Sequence, residues 1–347
     1  MTRLITLGFE NQSELLLGQC DTNNVRITSV YGGTPGLGLP GLETSRNVLQ
    51  IQNGNSSWQY LFGSDIPELY FVGTFYCSYL MNGYQIITFD TKTNWDFGST
   101  LNIVWNTNGS ISLRRGTTVL ATSAASLIAL NTKYTIECHV KPRNSAGMFT
   151  VKIDGVQVVT SGSMDTTDNA ESSGGFKLCM PNNTNCLGWW DDVAVNSVAG
   201  DANNTWIGKM QLFPLYVKGA GDVTQLSRGG LDLLANYAQV RDSDYHGITF
   251  LQGDENEYDL YTVDQIDLPA GATINNVIVQ ITGKSTSGMG LVAPMIKAAD
   301  TESQGSDITL PAAAVLRQQA WEVNPKTSVA WVEADISTLQ IGAKIRS

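Results

Sequence analysis

The sequence predicts an all-β protein. Apolar and polar side chains alternate at a period of two along most of the chain, as expected for strands with one face against a core and the other in water. The alternation is clearest in Tyr134–Val140 and Phe149–Ile153, and the second run leads into Asp154-Gly155, a strong signal for a two-residue hairpin. One segment of the first part of the chain is helix-like, Ala121–Asn131, but its short length and its serines and threonines favour a connecting turn.

Length and composition indicate two well-packed domains. The chain has 347 residues, whereas single hydrophobic cores stop growing at ~250–300 residues. Hydrophobic residues make up 42% and charged residues 15% of the chain, which is typical of a globular protein. The net charge of −11 and the scattered lysines and arginines argue against a nucleic-acid partner. No run approaches the ~18 consecutive apolar residues of a membrane helix, so no membrane partner is expected.

The cysteines favour a protein made and folded in a reducing cytosol. There are five, none in a C-x-x-C pair, so a zinc site is not expected. An odd count fits a reducing compartment, and Met1–Ile5 is too short to be the apolar region of a secretory signal. Cys138 is in phase with its apolar neighbours and is therefore predicted to be a buried small hydrophobe.

The strands of the first part follow one another through short turns. Residues 69–81 are apolar on both faces, which predicts a central, doubly covered strand. Gly32–Gly38 is too rich in glycine to be regular structure, and turns at Asn106–Gly109 and Arg115-Gly116 produce a three-strand meander. The predicted strands are Val25–Val30, Leu69–Met81, Leu101–Trp105, Ile111–Leu113, Val119-Leu120, Tyr134–Val140, Phe149–Ile153, Val193–Val195 and Met210–Val217. Their spacing, without intervening helices, predicts a sandwich.

A second, smaller antiparallel β-domain is predicted after Lys218. Glycines follow this residue, which marks a boundary and divides the chain into residues 1–218 and 219–347. Gly221–Gln252 has few alternations and is interpreted as a crossing segment. Glu333–Leu339 fits one helical turn. The predicted strands are Tyr258–Ile266, Ile274–Ile281, Leu291–Ala298 and Gln340–Arg346, with turns at Pro269–Gly271 and Asn324-Pro325.

The order of three motifs resembles a known fold family. Tyr134–Lys141 carries a Glu-containing apolar strand, Phe149–Val156 a strand with an Asp-Gly hairpin, and Trp190–Val195 an Asp-Asp pair entering a strand. In this order they resemble the closing strands of concanavalin A-like, laminin-G-like jelly rolls. The resemblance implies that residues 1–218 form a jelly-roll sandwich.

Beyond these motifs the chain resembles tailed-bacteriophage virion proteins that pair a jelly roll with a second small β-domain. The resemblance implies a non-enzymatic structural component of the head, neck or tail, located in the virion after synthesis in the bacterial host cytoplasm. Its expected partners are other virion proteins and copies of itself, with a trimer favoured by analogy. The segments that carry it are Trp206–Pro214, Asn236–Val240, Tyr258–Tyr261, Ala272–Val279 and Trp321–Thr327 with Trp331.

The sharpest local constellation is Trp189-Trp190-Asp191-Asp192. Indole rings stack on sugars, and adjacent carboxylates can hold a hard cation such as Ca²⁺ through oxygen ligands. The alternative function is therefore a lectin-like module that recognises a host surface glycan. Against this, one indole can fill the core while the aspartates close a turn before the next strand. Calcium is compatible with these residues but is not predicted, and no other cofactor is expected.

No enzymatic pattern is present, so no catalytic residue is predicted. The chain lacks a G-x-S-x-G elbow and a phosphate-binding glycine loop. It also lacks the alternating carboxylates with which some jelly rolls hydrolyse polysaccharides. Asp254–Glu257 fits a solvated loop. His139, alternating outward with Glu137 and Lys141, is far in sequence from His246.

Two sequence features remain open. Trp321 and Trp331 flank the turn at Asn324–Thr327 and either pack together within the domain or contact a neighbouring chain, which makes them interface candidates. The loop Asp165–Asn185 matches no motif, and whether the loop Ser161–Asn185 contacts a partner is left open.

Overall fold

The structure is a computed structural model that describes residues 3–8, 19–20, 25–29, 47–52, 57–78, 84–91, 100–167, 170–179, 187–200, 202–230, 234–241, 249–286 and 288–346. The predicted loop Gly32–Gly38, His246 and part of Ser161–Asn185 lie outside these residues. The chain divides into two compact units, unit 1 over Met1–Leu212 and unit 2 over Phe213–Ser347. Both are built from antiparallel strands, which confirms the all-β prediction.

Unit 1 is a β-sandwich of the jelly-roll type, formed by two sheets that we name A and B. In spatial order, sheet A contains β13 (Val156–Thr160), β12 (Met148–Ile153), β11 (Lys133–Lys141), β6 (Leu69–Cys77), β15 (Leu187–Ser197), β4 (Asn47–Gln52) and β3 (Val25–Ser29), with β1 (Arg3–Leu7) paired to β15. Sheet B contains β10 (Thr118–Thr122), β9 (Ile111–Arg115), β8 (Thr100–Trp105), β7 (Tyr84–Asp90), β14 (Ser173–Cys179), β5 (Ser57–Ile66) and β2 (Gln19–Cys20). The alternation of side chains explains this layering, because each strand places one set of residues between the sheets.

Aromatic side chains fill the space between the sheets. Trp190 is fully buried and its ring lies 4.7 Å from that of Phe75. Phe71 of sheet A meets Phe89 and Phe176 of sheet B edge to face, at centroid distances of 5.8 and 5.4 Å. Strand β6 is buried on both faces between β11 and β15, as its sequence predicts. Cys138 is fully buried in the same core, which confirms its prediction.

The outer face of sheet A departs from the sequence prediction. The alternation in β11 predicted a wet face, yet Thr135 and Glu137 on that face are 3% and 2% exposed. The reason is that residues 202–212 pack across it, so that the backbone N–H of Gly208 donates to Oε1 of Glu137 at 2.8 Å. A period of two identifies the face opposite the core but not a later segment that covers it.

Within its described residues, unit 2 contains three sheets. The largest has the order β16 (Val217–Thr224), β19 (Tyr258–Val263), β25 (Gln340–Arg346), β21 (Met289–Ala298) and β22 (Thr301–Gln304), with β23 (Ile308–Pro311) also paired to β21. Two pairs accompany it, β17 (Ser227–Gly230) with β18 (Thr249–Gln252) and β20 (Val277–Gly283) with β24 (Val315–Trp321). Short helices lie at α1 (Asn236–Gln239) and α2 (Glu333–Ile336), the second confirming the predicted helical turn.

The region around the predicted boundary requires two corrections, to a strand and to a connecting segment, while the boundary itself stays a prediction. The predicted strand Met210–Val217 is wrong, because residues 210–216 form no strand and β16 begins at Val217. Pro214 lacks the N–H that a ladder needs. The predicted boundary after Lys218 lies inside β16, and its glycines alternate along that strand. The supposed crossing segment Gly221–Gln252 contains the second half of β16 together with β17, α1 and β18.

A buried carboxylate organises the start of unit 2. Asp259 is fully buried, and its Oδ1 accepts hydrogen bonds from the backbone N–H groups of Gln225 and Leu226 at 2.6 and 2.8 Å. Its Oδ2 accepts from the side-chain amide of Asn236 and from the hydroxyl of Tyr261, both at 2.7 Å. These bonds fix a segment with weak alternation of its own. Burial, followed by the hydrogen bond to Asp259, raises the pKa of Tyr261.

We predict that Tyr261 makes unit 2 sensitive to alkali. Because its folded pKa is raised, its contribution to the free energy of unfolding is complete below the unfolded value of ~10 and is lost as pH rises above that value. Tyr261→Phe should lower the free energy of unfolding of unit 2 by about 1–3 kcal/mol at neutral pH, because a hydrogen bond to a carboxylate is lost. It should also reduce the decrease in that free energy as pH rises above ~10. Urea unfolding across this pH range measures both effects. Tyr216→Phe, at an exposed position, is the control, and an unchanged alkaline slope in Tyr261→Phe would contradict the assignment.

Candidate functional site

The two adjacent tryptophans of β15 point to opposite faces of sheet A. Trp190 lies in the core of the sandwich. Trp189 faces outward but is only 3% exposed, with its ring 5.1 Å from that of Tyr76 in an edge-to-face arrangement. Stacking on a sugar needs an accessible indole face. At these two positions the structure shows packing, the alternative that the sequence left open.

Asp191 and Asp192 are engaged by the backbone of their own unit. Oδ1 of Asp191 accepts from the N–H of Asp192 at 2.8 Å, and Oδ1 of Asp192 accepts from the N–H of Leu212 at 2.8 Å. Asp192 has a positive φ of 48°, and the register between β15 and β6 shifts between Asp191 and Ala194. The aspartates therefore support a β-bulge and anchor the covering segment. Within the described ranges, no three His, Cys, Asp or Glu side chains are grouped to hold a metal ion.

Trp206 is the main side-chain anchor of that covering segment. Its ring lies 5.4 Å from Tyr70 and 6.0 Å from His139, and Nζ of Lys152 sits 3.8 Å from the ring centroid. Tyr70 stacks on His139 at 4.5 Å, and Nε2 of His139 is 2.7 Å from a carboxylate oxygen of Glu68. Burial, followed by the charge of Glu68, raises the pKa of Tyr70. His139 thus lies on the outer face, as predicted, but beneath aromatic packing.

Sheet B presents a different outer face, crossed by one row of polar side chains. Lys177 pairs with Gln59 on one side and with Thr88 on the other, Thr88 pairs with Asn102, and Asn102 pairs with Arg114. The row therefore crosses five neighbouring strands, β5, β14, β7, β8 and β9. We call Gln59, Lys177, Thr88, Asn102 and Arg114 the polar row.

The polar row lies on the face opposite the core. Ile87 and Phe89 flank Thr88 along β7 and are fully buried between the sheets, so Thr88 points away from them. Leu113, the neighbour of Arg114 along β9, is likewise in the core. The same alternation holds in β14, β5 and β8.

The centre of the row is held by internal hydrogen bonds. The hydroxyl of Thr88 donates to Oδ1 of Asn102 at 2.9 Å, and Nδ2 of Asn102 donates to Oγ1 of Thr100 at 2.9 Å and to the carbonyl of Gly116 at 3.2 Å. Both central residues are buried, whereas the long side chains of Gln59, Lys177 and Arg114 are half-buried. The centre of the row is thus fixed by hydrogen bonds. Gln59 and Lys177 lie on one side of it and Arg114 lies on the other.

Sequence reasoning missed the polar row. Its members occur singly on strands that are far apart in the chain, and no local motif joins them. The available signal was the phase of alternation in each strand, but the order of the strands is needed to bring the five residues side by side. The row offers donors and cations and contains no nucleophile–base pair, so its chemistry is that of binding.

The two candidate interface tryptophans lie inside unit 2. Trp321 and Trp331 are 8% and 3% exposed and belong to one hydrophobic core. The indole N–H of Trp331 donates to the carbonyl of Trp321 at 2.9 Å, and that of Trp321 donates to Oγ of Ser303 at 3.1 Å. The structure therefore shows packing within the domain at these positions. In the segment Ser161–Asn185, the described residues include β14, which carries Lys177.

The chain resembles several solved structures at low sequence identity. Neither the models of protein families nor the curated proteins include a match to this chain. An alginate lyase structure is 13% identical with a TM-score of 0.40, covering 56% of this chain and 96% of that chain. A Bacillus subtilis protein of unknown function with a galectin-like fold is 12% identical with a TM-score of 0.38, and the match covers 57% of this chain and 98% of that chain. A carbohydrate esterase from the Shiga toxin-encoding bacteriophage phi24B is 11% identical with a TM-score of 0.38, and the match covers 56% of this chain and 98% of that chain. At these scores the matches carry no argument about activity. Among the described residues, no helix has the length and apolarity to span a membrane.

Proposed function

We propose that unit 1 is a glycan-binding module that binds its ligand on the outer face of sheet B. The observation that carries this proposal is the polar row, which aligns five hydrogen-bonding side chains across neighbouring strands. Sugars are recognised by a small number of well-placed polar groups. A rigid sheet whose central residues already bond one another holds such groups at low entropic cost.

The same geometry favours binding over hydrolysis. Glycoside hydrolysis requires a pair of carboxyl groups on either side of the scissile bond, one as acid and one as base or nucleophile. The polar row contains no carboxylate, and Asp90, on the same face two residues after Thr88, is a single buried acid. The Asp191-Asp192 pair is buried on the other sheet, where Asp192 accepts from Leu212. We therefore propose a module without catalytic residues, whose ligand is a glycan of a bacterial cell surface.

Removing the half-buried members of the row should weaken glycan binding. We expect Gln59→Ala combined with Lys177→Ala to lower affinity for a bound bacterial surface polysaccharide about 10- to 100-fold, since hydrogen bonds to charged groups contribute ~1.5–3 kcal/mol. Titration calorimetry on glycans selected from an array of host polysaccharides measures the effect. Gln157→Ala, at an exposed position of sheet A, is the control. Absence of binding by the wild-type protein to every host polysaccharide would refute the proposal.

A second candidate function is assembly into a virion, supported by the resemblance to tailed-bacteriophage virion proteins and by one apolar surface of unit 2. Val323, Val329 and Val332 are 41%, 60% and 57% exposed around the turn between Trp321 and Trp331. The N–H of Asn324 donates to the carbonyl of Val329 at 2.9 Å, which holds the turn closed. Exposed apolar clusters of this kind mark protein interfaces. In this proposal the protein is made in the host cytoplasm and joins the particle as a symmetric oligomer, with a trimer favoured.

Charging this surface should dissociate the oligomer. We expect the wild-type protein to sediment as a trimer at micromolar concentration and Val329→Asp with Val332→Asp to sediment as a monomer, because buried unpaired carboxylates are costly. Val156→Asp, on an exposed strand of unit 1, should leave the trimer intact. A wild-type monomer that also fails to attach to purified phage particles would exclude this function.

A further inference from the structure

Arg114 closes one end of the polar row in a distinctive environment. It pairs with Asn102 of β8 on one side and with Val119 of β10 on the other. Val119 is 52% exposed, so the guanidinium lies where the row passes from the covered centre towards open solvent. A group that contacts the half-buried side chains of the row therefore meets Arg114 at this edge.

Among the described residues, Nε of Arg114, like that of Arg3, has no hydrogen-bond partner. Its Nε is buried from solvent, and among the described residues no acceptor lies within hydrogen-bonding distance of it. By contrast, Arg115 pairs with Asp165 at 2.5 Å and Arg346 with Asp307 at 3.2 Å. An arginine keeps its charge in proteins, and burial without an acceptor is unfavourable.

The neighbouring row residue does not act as an acceptor for Nε of Arg114. Oδ1 of Asn102 already accepts from Thr88, and the amide nitrogen of Asn102 is a donor. The row itself carries two cations, Arg114 and Lys177, and no carboxylate, although the whole chain has a net charge of −11. The two cations lie three strand spacings apart, about 14 Å. Positive charge is thus placed at two points of the face proposed to bind a glycan.

We infer that the glycan bound by sheet B is acidic, and that Arg114 binds its acid groups. This inference rests on the proposed function. A guanidinium forms paired N–H···O bonds with the oxygens of a carboxylate or of a sulfate ester, which gives orientation as well as attraction. The shared chemistry is an oxyanion carried on a sugar chain. Such a ligand explains why a protein of negative charge holds a half-buried arginine for which the described part of the chain supplies no acid partner.

Matched polymers that differ in charge test this inference. The wild-type protein is measured by biolayer interferometry on polygalacturonate and its methyl-esterified neutral form, and on dextran sulfate and dextran. We expect at least one acidic polymer to bind roughly tenfold or more tightly than its neutral counterpart, with a preference that shrinks as salt screens the charges. The carboxylate and sulfate arms identify which oxyanion the site prefers.

The variants separate Arg114 from general charge. Arg114→Gln should abolish the acidic preference, and Arg114→Lys should retain part of the preference because the charge remains without the planar fork. Arg317→Gln, in unit 2, is the matched control. Urea unfolding midpoints equal to that of the wild-type protein would exclude misfolding of these variants. As a second readout, glucuronate should shift the Arg114 Nε–H nuclear magnetic resonance signal saturably, whereas glucose should not.

The outcomes distinguish this inference from the function on which it rests. Equal binding of acidic and neutral polymers, or an acidic preference that survives in Arg114→Gln, overturns the role of Arg114 and leaves glycan binding in place. Failure of every polymer to bind, together with an Arg114 signal that glucuronate leaves unmoved, overturns both. A preference lost in Arg114→Gln and kept in Arg317→Gln supports the inference.

Discussion

The aromatic packing between the two sheets of unit 1 fixes the phase of every strand that crosses it. The core is filled by the ring contacts of Trp190 with Phe75 and of Phe71 with Phe89 and Phe176, so that one side of each strand faces it. Because side chains alternate strictly, a shift of one residue would exchange the buried and outer sets. The positions of the polar row and of the covered aspartates both follow from this constraint.

The outer faces of sheets A and B differ in how their polar side chains are used. On sheet A, residues 202–212 cover the face, and buried carboxylates of Glu137 and Asp192 accept the N–H groups of Gly208 and Leu212. These acids stabilise the fold of the chain on itself. On sheet B, the polar groups bond one another along the sheet and leave Arg114 unpartnered among the described residues. The contrast explains why the prominent Asp-Asp pair is structural while an inconspicuous set of single residues forms the candidate site.

The sequence predicted the architecture better than the site. The central position of β6, the burial of Cys138 and the bounds of β25 follow from periodicity, which local side chains determine. The segment before β16 was misassigned because apolar residues such as Leu212 can pack onto a sheet without joining it. Trp189 was ambiguous for a related reason, since an outward indole is accessible only if nothing later in the chain covers it. The polar row required strand order, which depends on contacts between distant segments.

The central claim is that ligand binds the outer face of sheet B. Its most direct test is chemical-shift mapping of the isotope-labelled protein with its tightest-binding oligosaccharide. The account predicts that the shifts concentrate on Gln59, Thr88, Asn102, Arg114 and Lys177. Shifts concentrated instead on Tyr70, His139 and Trp206, beneath and around the covering segment of sheet A, would contradict it.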